Sequence, residues 1–419
     1  MMLMKVLVDL SRALVFSILL LSCSKSDNPG TTLNVRILEP VAIQKTNEMK
    51  IFVHYMVWFE SKETSTNGKW GYHWTMKSQD PDVIDANGKR QIAAHFYPSI
   101  GPYASSDKFL IEYHLLLMKY AGIDGVIIDW YGTHNVNDYK AIKKNTEALV
   151  SLIEKTGLQF AIDYEDRTLE PTVQQGEAAS SVNGAKDDMI YLKTNFFSKP
   201  NYIKISNEPL LLVFGPIVMQ KPDDWTQTFT NISPKPCLLT LWYQSGEAGT
   251  NARGEYAWVY QNTSSLDNFY TSKAPNLNVA MGCAYPGFKD FYTQGGGGES
   301  LGWTIDYKDG ITLEETLQKA KNASMKYVQI ATWNDFGEGT MIEPTKEFGN
   351  KHLETVKNFG GVNDYNNAFE NIKKQYDLRL KYKNNSLAQK SLDQSFYYFV
   401  SVQNDKAVNV LDSLETNVP

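Results

Sequence analysis

The sequence is short of the residues that build covalent or metal frameworks. It has 3 cysteines and 6 histidines in 419 residues, with no Cys-x-x-Cys pair and no His-Glu-x-x-His run. A disulfide scaffold and the common zinc sites are thereby excluded, and neither a protein-held metal nor another cofactor is expected. Cys237 and Cys283 sit inside apolar runs and read as buried free thiols. Charge of one sign is lacking as well: 41 Lys and Arg against 47 Asp and Glu leave a net −6, with no basic block anywhere. That distribution argues against a nucleic-acid partner. No Gly-x-Gly-x-x-Gly follows the first strand, and the run Gly295 to Gly298 is not followed by Lys-Ser/Thr, so dinucleotide and phosphate loops are absent. The glycine run reads instead as a mobile cover or a plain surface loop.

Long apolar runs are also missing. Ala13 to Leu21 is too short to span a bilayer, but behind Lys5 and Arg12 it has the form of a secretory leader, so export is expected. The run ends in Leu20-Leu21-Ser22-Cys23, which resembles a bacterial lipobox, and residues 1–23 therefore read as a lipoprotein signal peptide with Cys23 lipidated. The chain is expected in the bacterial envelope, at the outer membrane or cell surface with the periplasm as the alternative, touching membrane through that anchor alone, as a monomer. Residues 24–47 read as a flexible tether, polar from Ser24 to Thr32 with Pro29-Gly30.

What the sequence does contain is apolar runs alternating with amphipathic ones. Strands are expected from Met49 to Trp58, Gly125 to Trp130, Leu158 to Tyr164, Pro209 to Phe214, Cys237 to Trp242, Tyr256 to Tyr260, Val279 to Tyr285 and Tyr327 to Ala331. Helices fall between them, the first capped by Ser106 or Asp107 and stopped by Gly122, the last over Val362 to Tyr382. Eight βα units of continuous apolar strands point to an α/β fold, a (β/α)8 TIM barrel over residues 48–385. An open doubly wound sheet is the alternative. Residues 386–419 read as an extension with one more helix around Phe396 to Val400, packed on the barrel.

In such a barrel the reactive residues stand at the C-terminal strand ends. Aromatic and acidic residues collect there: Tyr55 and Trp58; Asp129, Trp130 and Tyr131; Asp163, Tyr164 and Glu165; Trp242 and Tyr243; Tyr260; Tyr285. A single strand-end acid is usually a cap or turn former, but so many alike suggest a saccharide site, with Tyr103 of the long insertion before Ser106 included. After the eighth strand comes Thr332-Trp333-Asn334-Asp335-Phe336-Gly337-Glu338-Gly339-Thr340. Asp335 and Glu338 are the residue types that glycosidic cleavage needs, one acid to protonate the leaving oxygen and a second carboxylate as nucleophile or base. If a helical turn begins at Asp335, the two share a face with Cβ atoms about 5–6 Å apart, compatible with a retaining geometry. Two surface acids in a loop would be the plain alternative.

The stretch Trp333 to Glu338 resembles the Trp-Asn-Asp-aromatic-Gly-Glu signature of glycoside hydrolase family 71, α-1,3-glucanases. Its continuation through Glu343-Pro344 is similar to family 99, endo-acting α-mannosidases with a Glu-x-x-Glu pair, as are Ala121 to Gly125 leading into Asp129-Trp130-Tyr131-Gly132, and Tyr285-Pro286-Gly287-Phe288. The resemblance implies a hydrolase of α-linked mannan-like or glucan-like glycan, with Glu338 as acid/base and Asp335 as partner carboxylate. Trp333, Asn334 and Glu343 join the substrate-binding set on the same basis. In family 99 the partner takes the proton of the sugar's own 2-hydroxyl; Asp335 is one methylene shorter than the glutamate used there, and the loop after Tyr285 lacks the arginine the family carries. A glycan-binding lipoprotein on a degenerate hydrolase barrel is the rival reading.

Overall fold

A computed structural model describes residues 34–417. Among them, eight parallel strands follow the expected alternation: β1 (Lys50–Tyr55), β2 (Gly125–Trp130), β3 (Gln159–Tyr164), β4 (Glu208–Val213), β5 (Cys237–Leu241), β6 (Ala252–Tyr256), β7 (Val279–Ala284) and β8 (Tyr327–Ile330). Each pairs with its neighbour, β3 with β4 through Ile162 opposite Leu211, and β8 with β1 through Val328 opposite Ile51. The sheet therefore closes on itself as a (β/α)8 barrel, and the open alternative is ruled out. A two-residue strand, Lys204–Ile205, adds an antiparallel pairing outside β4.

The strands are apolar along their length because both faces are covered. All six positions of β2 are buried. Between β6 and β7 the backbones come so close that a Cβ on Gly254 would lie 1.7 Å from the Val279 carbonyl oxygen, so this strand needs its glycine. The presence of Arg253-Gly254-Glu255 in β6 corrects the expected strand: it ends at Tyr256 rather than starting there, and Tyr260 stands in the following loop.

Helix Lys108–Tyr120 begins where its cap predicts, the Asp107 carboxylate accepting the N–H groups of Phe109 and Leu110 at 2.7 and 3.1 Å. After β8 the chain forms an unforeseen helix, Lys351–Gly360, before Ala368–Lys381. Beyond it lie two helices where one was expected, Ser386–Val400 and Asn404–Asn417. Arg379 ties three helices together, its guanidinium 2.9 Å from Glu112 and 2.7 Å from Asp393. Residues 35–47 are not free tether: Val41 donates to the Val400 carbonyl at 3.1 Å, and Thr46 and Asn47 to Gly361 and Gly360 at 3.2 and 3.0 Å. The glycine-rich loop is likewise pinned, Lys77 N–H donating to Gly295 O at 2.8 Å and Ser78 Oγ to Gln294 O at 2.7 Å. Residues 1–33, including the expected leader and Cys23, lie outside the described residues.

Candidate active site

The C-terminal mouth of the barrel opens into a cavity of about 200 Å³. Four carboxyl groups line it: Asp129 from β2, Glu165 just past β3, and Asp335 and Glu338 from the turn after β8. Among the described residues of the lining, Arg167 is the one cation, and it sits 2.7 Å from Glu165. Aromatic side chains complete the walls, with Trp58 stacked flat on His73 at 4.0 Å and 9°. Trp258 stands edge-on to His54 at 4.7 Å deeper in the barrel.

The β8 turn is built by its own side chains. Asp335 N–H donates to Thr332 Oγ1 at 2.8 Å, and Glu338 N–H donates to Asp335 Oδ1 at 3.0 Å. No helix forms between Asp335 and Glu338, which corrects the helical-turn expectation. Both side chains nevertheless line one cavity, because the Asp335 carboxylate bends the chain back on itself. Tyr292, from the loop after β7, donates its hydroxyl to Glu338 Oε1 at 2.8 Å. Lys289 and Phe291 N–H groups, from the same loop as Tyr292, bind the carbonyls of Glu338 and Gly337 at 2.9 and 2.8 Å and hold this turn.

Electrostatics separates the pair. Burial, then the neighbouring Asp335 charge, pushes Glu338 up to about 8, against the Tyr292 hydrogen bond. Burial also raises Asp335, to about 6, but the Glu338 and Gly337 N–H groups favour its charged form. Near neutral pH the site can therefore hold a protonated Glu338 beside an ionised Asp335. Across the cavity burial raises Asp129 well above the carboxylate range, with Glu165 and Asp163 adding to it, and pushes Glu165 to about 7 against the pull of Arg167.

The structure brings six of the expected residues to the cavity: Trp58, Asp129, Tyr131, Glu165, Asp335 and Glu338. Others point elsewhere, since successive strand residues face opposite sides. Trp130 and Tyr164 are fully buried in the helix layer, Trp130 stacked on Tyr191 at 5.8 Å and Tyr164 donating to Asp188 at 2.7 Å. Tyr285 is buried too, its backbone bonded to Thr316. Asp163 lies beneath the cavity, 3.5 Å from His54 Nε2 and 3.2 Å from the Tyr256 hydroxyl.

Tyr55, Tyr103, Asn334 and Glu343 form a buried network behind the β8 turn instead of touching a ligand. Tyr103 donates to Glu343 Oε2 at 2.7 Å, and the Tyr55 hydroxyl lies 2.9 Å from His114 Nδ1. The Asn334 amide accepts Met56 N–H at 2.9 Å and donates to Met56 O at 3.0 Å and the Tyr103 hydroxyl at 3.1 Å. Trp333 is fully buried against His114, ring centroids 5.3 Å apart. Trp242, Tyr243 and Tyr260 are not among the residues lining the cavity.

Sequence reading missed His54, Met56, His73, Arg167, Phe214, Trp258 and Tyr292 of the lining. His54 and Met56 flank Tyr55 and could have been found by fixing the inward face of β1 from Asp129 on β2. Tyr292 carries no local signal, because only tertiary folding carries its loop to Glu338.

The comparisons with known proteins fit this geometry. The model of glycosyl hydrolase family 99 matches residues 46–283, a span that stops before the Asp335–Glu338 turn. A glycoprotein endo-alpha-1,2-mannosidase-like protein of Danio rerio is 21% identical over 337 residues, covering 73% of each chain. A Homo sapiens protein of the same description is 22% identical over 279 residues, covering 60% of this chain and 58% of its own. In three dimensions the GH99 endo-alpha-mannosidase from Bacteroides thetaiotaomicron superposes with a TM-score of 0.59 at 18% identity, over 75% of this chain and 96% of that one, which establishes the shared fold. With more than half of its length matched by that family model and its barrel superposing on a member's, the chain belongs to glycosyl hydrolase family 99.

Proposed function

We propose that this glycoside hydrolase cleaves α-mannosidic bonds in a glycan, with Glu338 as the proton donor to the leaving oxygen and Asp335 as the partner carboxylate. The observation that carries the reading is that two buried carboxylates line one cavity with different partners, Glu338 accepting the Tyr292 hydroxyl and Asp335 accepting the Glu338 N–H, burial raising both above their ordinary values. Asp335, bonded to its own turn, either takes the proton of the sugar's 2-hydroxyl or attacks the anomeric carbon; in both cases a second displacement by water gives net retention. Asp129, Glu165 and Arg167 then bind hydroxyl groups, while Trp58 and Tyr131 offer ring faces. The α-mannosyl preference comes from the curated relatives, whose descriptions are of endo-alpha-1,2-mannosidases. Export, lipidation at Cys23 and a monomeric state belong to the same proposal and rest on the sequence.

The test is product analysis on a panel of α-mannans and α-glucans, with the first-formed anomer followed by NMR. Release of mannose oligosaccharides in the α configuration is expected; cleavage of α-glucans alone would overturn the substrate, and a β product the stereochemistry. Glu338→Gln should lower turnover roughly a thousandfold or more while glycan binding persists. Undiminished turnover by that variant would remove Glu338 from the reaction.

A further inference from the structure

The ends of β5, β6 and β7 carry a second group of aromatic residues that the cavity does not use. Trp242 and Tyr243 follow β5, Tyr260 lies beyond β6, and Trp303 belongs to the loop after β7. Their rings are neighbours. The Trp242 centroid is 6.0 Å from Tyr243 and 6.5 Å from Tyr260, and Tyr260 is 6.1 Å from Trp303. Two stand on buried rings, Trp303 stacked over Phe288 at 4.0 Å and Trp242 edge-on to Phe269 at 5.8 Å.

A single exposed tyrosine is ordinary. Tyr243 is not, because it is 54% exposed and held in the left-handed region at φ 65°. Its N–H donates to Glu255 Oε2 at 2.6 Å, and Glu255, fully buried, also accepts Ser245 N–H at 3.1 Å and lies 3.0 Å from Lys273 Nζ. A left-handed residue with a side chain costs on the order of 1 kcal/mol, so a buried carboxylate here maintains a conformation that turns a large ring outward. Tyr260 stands beside it, 48% exposed.

These rings follow the C-terminal ends of their strands, the end of the barrel at which the cavity opens. Trp258 lines the cavity two residues before Tyr260, and the loop bearing Phe288 and Trp303 is the one whose Lys289 and Phe291 bind the Asp335–Glu338 turn. A saccharide chain leaving the cavity toward β5 to β7 would pass over them.

We propose that Trp242, Tyr243, Tyr260 and Trp303 form a stacking platform for neutral hexopyranose units of the same glycan beyond the cavity. The CH faces of pyranose rings bury apolar surface on such aromatic faces, and the tyrosine hydroxyls meet sugar hydroxyls at their edges. The proposal rests on the glycan reading above.

The test uses the full chain with Tyr243→Gly and Tyr260→Ala combined. Glycine suits φ 65°, so folding is not put at risk, and the thermal midpoint should hold or rise. On α-mannan polysaccharide KM should rise roughly tenfold, because two stacking rings are removed, with kcat unchanged; on a trisaccharide both constants should match the parent. An unchanged polymer KM overturns the platform. Tyr243→Phe in place of Tyr243→Gly should restore part of the loss. Binding is read separately in a Glu338→Gln background by retardation in native gels containing α-mannan. Weaker retardation in the platform variant supports the proposal even if no α-mannan is hydrolysed by the parent, an outcome that would fault the function alone. Equal retardation, or none for the parent, overturns it.

Discussion

Asp335 and Glu338 are chemically similar and only three residues apart, yet the turn gives them different partners, backbone N–H groups for Asp335 and the Tyr292 hydroxyl for Glu338. The two N–H groups that favour the Asp335 carboxylate come from Gly337 and Glu338 themselves, so the backbone that separates the acids also favours the charged form of one of them against its burial. The expected pH profile of kcat/KM is accordingly bell-shaped. Activity should rise as Asp335 ionises through about 6 and fall as Glu338 loses its proton through about 8. Glu338 also ties stability to pH. Its folded pKa, about 8, lies above the ordinary 4.5, so its stabilising share is full below 4.5 and is lost as pH rises through about 8. Glu338→Gln should therefore lose less stability than the parent between pH 5 and pH 8.5, measured as urea midpoints; parallel losses would contradict the raised value. Arg167, the cation among these acids, has no local pattern in the sequence that marks it, since its role follows from the Glu165 carboxylate 2.7 Å away.

At the scale of the element, the β8 turn is tied to β1 by a backbone bond, Trp333 N–H to His54 O at 2.7 Å, and to the residue after β1 by one side chain. Asn334 bonds both backbone groups of Met56, replacing a rung of the ladder where β8 has already ended. Asn334→Ala should leave a buried N–H and C=O unpaired at a cost of about 2–3 kcal/mol. Because Asp335 is the next residue, kcat should fall by one to two powers of ten with KM little changed. Denaturation and steady-state kinetics check the two halves, and an unchanged kcat would show that Asn334 does not position the acid. Glu343 and Tyr103 extend the same support, which is why a motif residue that resembles a ligand contact sits fully buried.

At the scale of the molecule, the barrel depends on an outer layer that the strands do not specify. Arg379 is 1% exposed and joins Lys108–Tyr120, Ala368–Lys381 and Ser386–Val400 through Glu112 and Asp393. Arg379→Met would leave Glu112 buried with only Lys108, 3.5 Å away, as a cation. Such a loss costs about 3 kcal/mol or more, so the urea midpoint should fall clearly while kcat/KM of the folded enzyme stays at the parent value. An unchanged midpoint would mean that the C-terminal helices are held by their apolar packing alone.

The sequence by itself determined the barrel, because eight apolar runs separated by helical ones leave few closed arrangements, and it marked the β8 turn, because two acids three residues apart after the last strand fall at the barrel's C-terminal mouth, although the indole beside them proved to be packing. It did not determine which face of each strand looks inward. A strand buried on both sides has no polar alternation to read, so Tyr55, Trp130, Tyr164 and Tyr285 looked as eligible as His54, Asp129 and Trp258. Only the tertiary structure decided that, by fixing the register of each strand against its neighbours. It alone brought Arg167, His73 and Tyr292 to the cavity of the two acids, because their loops meet only once the sheet has closed.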